Sequence, residues 1–75
     1  MKGEKSLNSK IVTNSKKIRE LREKNNYTQS FVADLIGYKV NSYCLIETGK
    51  KGMSLKKLIV LSKLYNVSVD ELLLK

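Results

Sequence analysis

One glycine, Gly37, interrupts the stretch TQSFVADLIGYKVNSYCLIETG at residues 28–49, where two short runs of helical periodicity meet. Val32, Ala33, Leu35 and Ile36 give the first run an apolar face at helical spacing, and Tyr43 with Ile46 gives the second a narrower one. Gly37 sits where a helix would end, because glycine adopts the left-handed backbone of that position without strain. Thr28 is a suitable cap for the first run, since its hydroxyl can accept from an orphan backbone amide.

Two helices that short, joined by about three residues, read as a helix-turn-helix. The stretch resembles the helix-turn-helix of the phage-repressor and Cro-like family, often called the XRE family. The matching residues are Thr28-Gln29 at the opening, Val32-Ala33, Ile36-Gly37, the inward Tyr43 and Ile46, then Glu47 and Gly49. Ala33 suits a position where the following helix crosses closely, and Tyr43 and Ile46, three apart, lie on one face. KKIRELREKNNYTQ before the stretch and SLKKLIVLSKLYNVSVDELL after it resemble the family too, so the match covers residues 15–74. It implies an all-α, compact five-helix, lambda-repressor-like DNA-binding domain with the helix-turn-helix at helices two and three.

Seventy-five residues make one small domain with room for a single core. A hydrophobic content of 41% suffices to fold it, and the absence of proline fits a mostly helical chain. No run approaches the roughly 20 apolar residues of a membrane span, and MKGEKSLNSK lacks the apolar block of a secretion signal. The single Cys44 closes no internal disulfide. With no histidine and one cysteine, a structural zinc site has almost no ligands to draw on, and no cofactor or small-molecule ligand is evident. The expected location is the cytoplasm. A formal charge of +8 raises the odds of a polyanionic partner, nucleic acid before anionic membrane.

Residues 1–14 are polar and lysine-dotted and read as a mobile arm ahead of a domain at residues 15–75. Lys2, Lys5 and Lys10 would let that arm track a DNA groove; a frayed terminus is the alternative. Ile11 and Val12 are the residues in it suited to docking on the body. The first helix is expected from Ser15, as its cap, to Lys24, with Ile18 and Leu21 inward and Asn25-Asn26 stopping it. Helix two runs from Gln29 to Ile36, helix three from Val40 to Thr48, and Gly49 to Met53 form a loop. Ser54 caps a fourth helix, Leu55 to Tyr65, ended by Asn66. Ser68 and Glu71 have the spacing of a capping box opening a last helix, Val69 to Leu74.

With Tyr43 and Ile46 inward, a turn of about 100° per residue puts Asn41, Cys44, Leu45 and Thr48 on the far side, flanked by Val40 and Ser42. The resemblance places base contacts at Lys39, Val40, Asn41, Ser42 and Leu45, and phosphate contacts at Gln29, Lys50 and Lys51. Asparagine can bond adenine bidentately, and Val40 or Leu45 can pack on a thymine methyl. The resemblance also pairs Glu47 with an arginine of helix one, Arg22 first and Arg19 second, as a structural tie. Two positions depart from the family pattern. Lys39 stands where a serine or threonine usually caps helix three, and Leu45 stands where a long polar side chain is common.

These expectations amount to a sequence-specific double-stranded DNA-binding transcriptional regulator, read as a repressor, that inserts helix three in the major groove. Val60, Leu64, Leu72, Leu73 and Leu74 exceed what so small a core needs, which points to a homodimer on a near-palindromic operator, unless these side chains close the monomer's own core. An enzyme is poorly supported, with no histidine, no glycine-rich phosphate loop and no carboxylate pair in an obvious pocket. The rival is a protein-interaction module, an antitoxin or adaptor, gripping a partner through Leu45, Phe31 and Val60. A membrane surface comes third, because VDELLLK is short and acidic at its start.

Overall fold

The computed structural model describes residues 11–74. They form four α-helices in order: α1 (Ser15–Lys24), α2 (Gln29–Ile36), α3 (Val40–Glu47) and α4 (Leu55–Tyr65). A single 3-10 turn follows at Asp70–Leu72. The arm expected at residues 1–10, with Lys2, Lys5 and Lys10, lies outside the described residues.

Each helix begins where a side chain can satisfy an orphan amide, with one exception. Thr28 Oγ1 accepts from the Phe31 N–H at 3.0 Å to open α2, and Ser54 Oγ accepts from the Lys57 N–H at 3.3 Å to open α4. The cap of α1 is Asn14, whose Oδ1 accepts from the Lys17 N–H at 3.1 Å; Ser15, expected there, is the first helical residue. Lys39 precedes α3 in extended backbone and offers no side-chain cap.

All four helices stop in one way. Asn26, Gly37, Gly49 and Asn66 carry positive φ of 59°, 81°, 80° and 55°. At each, the next residue's N–H reaches back across the last turn: Tyr27 to the Arg22 carbonyl, Tyr38 to Ala33, Lys50 to Leu45 and Val67 to Ser62, all at 2.8–3.1 Å. These are Schellman closures, available only where left-handed backbone is tolerated.

The fifth helix expected at Val69–Leu74 is instead one 3-10 turn. Ser68 Oγ does accept from the Glu71 N–H at 3.2 Å, so the capping residue acts as the spacing suggested. Beyond it, Leu73 turns extended and pairs antiparallel with Thr13, while the Asn14 N–H donates to the Leu72 carbonyl at 2.8 Å. That pairing takes the backbone a further helical turn would need, and it leaves Leu72 wholly buried.

Ile11 to Asn14 form a short strap against the body. At one end Ile11 and Met53 exchange two backbone hydrogen bonds, of 2.6 and 3.0 Å, and at the other Thr13 pairs with Leu73. Of the two docking residues expected, Ile11 packs beside the core while Val12 points to solvent. Gly52 permits this closeness, since a Cβ there would strike the Ile11 carbonyl. Met53, at the end of the expected loop, is a core residue.

The core joins Ile18 and Leu21 of α1, Val32, Ala33 and Ile36 of α2, and Tyr43 and Ile46 of α3 to Met53, Leu58, Leu61, Tyr65 and Leu72. Ala33 of α2 is buried in this core. α3 packs against both α2 and α1, so its inward side is fixed from two directions. Among the described residues no helix is long and apolar enough to cross a membrane.

Candidate nucleic-acid interface

α3 is eight residues long and presents two unlike sides. Tyr43, Ile46 and Glu47 are buried, whereas Lys39, Val40, Asn41, Leu45 and Thr48 are exposed and Ser42 is half-buried. Val40 and Leu45 keep 41% and 43% of their surface open, so two apolar side chains stand on this side beside the polar ones. Cys44, expected on the open side, is half-buried, and its thiol donates to Gln29 Oε1 at 3.0 Å. The reason lies in Glu47. Residues three apart on a helix differ by only about 60° in direction, so a buried Glu47 draws Cys44 toward the same flank.

Glu47 is held by two side chains. Arg22 reaches it with two parallel contacts, Nε to Oε2 at 2.6 Å and Nη2 to Oε1 at 3.1 Å, and Gln29 Nε2 donates to Oε1 at 3.1 Å. Arg22 Nη1 also donates to the Tyr27 carbonyl at 2.8 Å. The Glu47 side chain is 2% exposed and that of Arg22 13%, so the pair is a buried bidentate one. Burial pushes the Glu47 carboxyl up, but the donors, Arg22 first, outweigh it and hold the group below the usual carboxylate range. The bond to Glu47 likewise raises Arg22. Burial, with Glu47 alongside, drives the Tyr43 phenol well above its ordinary value, and burial pushes Tyr65 up to about 12. Glu47, Arg22, Tyr43 and Tyr65 therefore each keep one charge state at neutral pH.

Charge is segregated along the chain here. Between residues 35 and 69 the only acidic side chain is Glu47, which is buried, while Lys39, Lys50, Lys51, Lys56, Lys57 and Lys63 fall in the same span. Lys50 is exposed just after α3, and Lys51 and Lys57 carry their ammonium groups over the Tyr38 ring at 5.9 and 5.4 Å. Lys50 and Lys51, with Gly49, Gly52, Val12 and Thr13, line an open cavity of about 160 Å³ beside the strap. Such a surface can attract phosphate and can present α3 between phosphate contacts, as a recognition helix requires.

The profile of the helix-turn-helix family matches residues 18–72, from within α1 to the end of the 3-10 turn. The chain belongs to the helix-turn-helix family. It is the phage-repressor and Cro-like family that residues 15–74 resemble. Among relatives of this helix-turn-helix protein, the HTH-type transcriptional regulator AnsR of Bacillus subtilis (strain 168) is 37% identical over 60 residues, 80% of this chain and 52% of its own. The uncharacterized HTH-type transcriptional regulator YobD of the same organism is 39% identical over 57 residues, 76% of this chain and 51% of its own. The chain thus spans about half the length of the curated relatives it matches. The crystal structure of the restriction-modification controller protein C.AhdI from Aeromonas hydrophila shares the fold, with a TM-score of 0.68 at 24% identity over 76% of this chain and 86% of that one.

In this helix-turn-helix protein the residues named from sequence fall into two groups. Lys39, Val40, Asn41, Ser42, Leu45, Lys50 and Lys51 lie on or next to the open side of α3. Gln29 stands apart: its carboxamide is turned inward to Glu47 and Cys44, leaving only its backbone amide at the start of α2 for an outside partner. Arg22 takes Glu47 as the resemblance implied, and Arg19 is exposed. Sequence reasoning missed the Cys44–Gln29 contact, which becomes visible only when Glu47 is counted among the residues that define the inward side of α3.

Proposed function

We propose that the protein is a sequence-specific double-stranded DNA-binding transcriptional regulator, acting as a repressor in the cytoplasm, with α3 in the major groove. The observation that carries this is the open side of α3, where Val40, Asn41 and Leu45 stand exposed between Lys39 and Lys50. In this reading Asn41 bonds adenine, and Val40 and Leu45 pack on thymine methyls, with Ser42 and Lys39 at the edges. Lys50, Lys51 and the backbone amide of Gln29 grip phosphates and set the register. The names of the relatives, transcriptional regulators both, support the same role. Two copies on a near-palindromic operator would place their α3 helices about one helical turn apart.

Selection of bound duplexes from a random pool at near-physiological salt tests this. The expected product is a near-palindrome with A·T pairs under α3; recovery of no sequence, or of G·C-rich sites, would overturn the assignment. A second reading, a protein-interaction module such as an antitoxin or adaptor, is favoured by Phe31, 47% exposed although it packs on Tyr27 at 4.8 Å between ring centres. No shift of any duplex at low salt, together with a stoichiometric protein complex through Phe31, would favour it over DNA.

A further inference from the structure

Gln29 is the first residue of α2, and both ends of its carboxamide are taken inside the molecule. Nε2 donates to Glu47 Oε1 at 3.1 Å, and Oε1 accepts the Cys44 thiol hydrogen at 3.0 Å. Glu47 is itself fixed by Arg22 of α1. Cys44 and Glu47 lie three residues apart on one flank of α3, so a single side chain of α2 holds α3 at two levels along its length. Rolling α3 about its own axis would carry Cys44 and Glu47 away from Gln29 and break both hydrogen bonds. The apolar contacts of Tyr43 and Ile46 are non-directional, while hydrogen bonds fix angles. α3 is short and has no side-chain cap at Lys39, so it has few other directional restraints at its front end.

We propose that Gln29 and Cys44 are positioning residues that set the roll of α3 about its own axis. The roll decides which of Val40, Asn41, Ser42 and Leu45 meets a base edge. The inference rests on the DNA-binding reading, but the lock itself exists in the free protein. It gives Cys44 the part of a hydrogen-bond donor, which serine can also fill and alanine cannot. It also accounts for a polar side chain at the front of α2 whose carboxamide faces the protein.

The test compares the full chain with Cys44→Ala, Cys44→Ser, Gln29→Ala and the Cys44→Ala/Gln29→Ala double variant. Each is titrated with its selected duplex and with a scrambled one over a range of salt. Cys44→Ala should weaken the selected duplex about threefold, the scale of one weak net hydrogen bond, and leave the scrambled duplex and the salt slope unchanged. Cys44→Ser should restore the wild-type ratio, and Cys44→Ala should have no further effect once Gln29 is alanine. Equal loss on both duplexes, or additive losses in the double variant, would overturn the proposal. Relaxation of the Gln29 carboxamide resonances in the free protein separates the two layers. A carboxamide immobile in wild type and mobile in Cys44→Ala supports the lock even if no duplex is selected, and one already mobile in wild type sinks it.

Discussion

Glu47 shows how one residue can look like chemistry and be architecture. A carboxylate at the end of the exposed helix of a basic protein could be taken for a functional acid, yet its side chain is 2% exposed and bonded by Arg22 and Gln29. Taking a charge out of water is costly, and the pair is tolerated because its geometry is bidentate and its remaining lone pair is used. Removing one partner leaves the other buried and uncompensated. Glu47→Ala should therefore cost about 3–5 kcal/mol in urea unfolding, and Arg22→Ala a similar amount. A loss near zero would show the pair to be solvated. The sign of the pH dependence follows from the direction of the shift. The folded carboxyl lies below its unfolded value of about 4.3, so its contribution is complete above that pH and is lost as pH falls through the folded value. Unfolding midpoints should therefore fall as pH is lowered from 5 toward 3, and Glu47→Gln should flatten that fall.

At the scale of elements, starts and stops were legible because they depend on local chemistry. Thr28 and Ser54 cap the helices they precede, and Asn26, Gly37, Gly49 and Asn66 end all four, since asparagine and glycine best tolerate left-handed backbone. Gly37 is the sharpest test. Alanine there meets a φ of 81° and the Lys57 Nζ at 2.6 Å, but a flexible lysine tip can move, so the backbone term decides. Gly37→Ala should destabilise by about 1–2 kcal/mol. Asn66→Gly, which removes a Cβ at a φ of 55°, should stay within about 0.5 kcal/mol of wild type. Equal effects at the two sites would refute the backbone account. What sequence did not disclose depends on distant partners. The turn at Asp70–Leu72 carries a proper capping residue, yet Thr13, more than fifty residues away, claims the backbone of Leu73. Lys57 sits over Tyr38 and Gly37, neighbours on another element, for the same kind of reason. In the candidate site the outward side of α3 was readable from Tyr43 and Ile46, whereas the inward turn of Cys44 and the Gln29 carboxamide needed the position of Glu47.

For the whole molecule, two features left over by folding bear on how it would act: charge and apolar surface. In the span from residue 35 to 69 the only acid is Glu47, and it is neutralised internally, so the lysines there have no free carboxylate beside them in sequence. Lys50→Ala should weaken binding to every duplex about equally and reduce the salt slope by about one ion; no change in either would remove Lys50 from the phosphate grip. The apolar surplus has a different consequence. Folding takes Leu72 entirely and half-buries Leu64 and Leu73, so the leucines once available for pairing now serve the monomer, while Val60 and Leu74 remain exposed. In the proposed DNA-binding reading a single eight-residue α3 would offer few base contacts, and a second copy bound through the remaining apolar residues would double them without enlarging the fold. Sedimentation at high micromolar concentration should then give twice the chain mass for wild type and the chain mass for Val60→Glu. Because Val60 lies outside the core, that variant should keep the wild-type unfolding midpoint at concentrations where both are monomers. Its affinity for a palindromic duplex should drop steeply while its affinity for an isolated half-site holds. A wild-type chain that stays monomeric both free and on the palindrome would leave Val60 and Leu74 without this role.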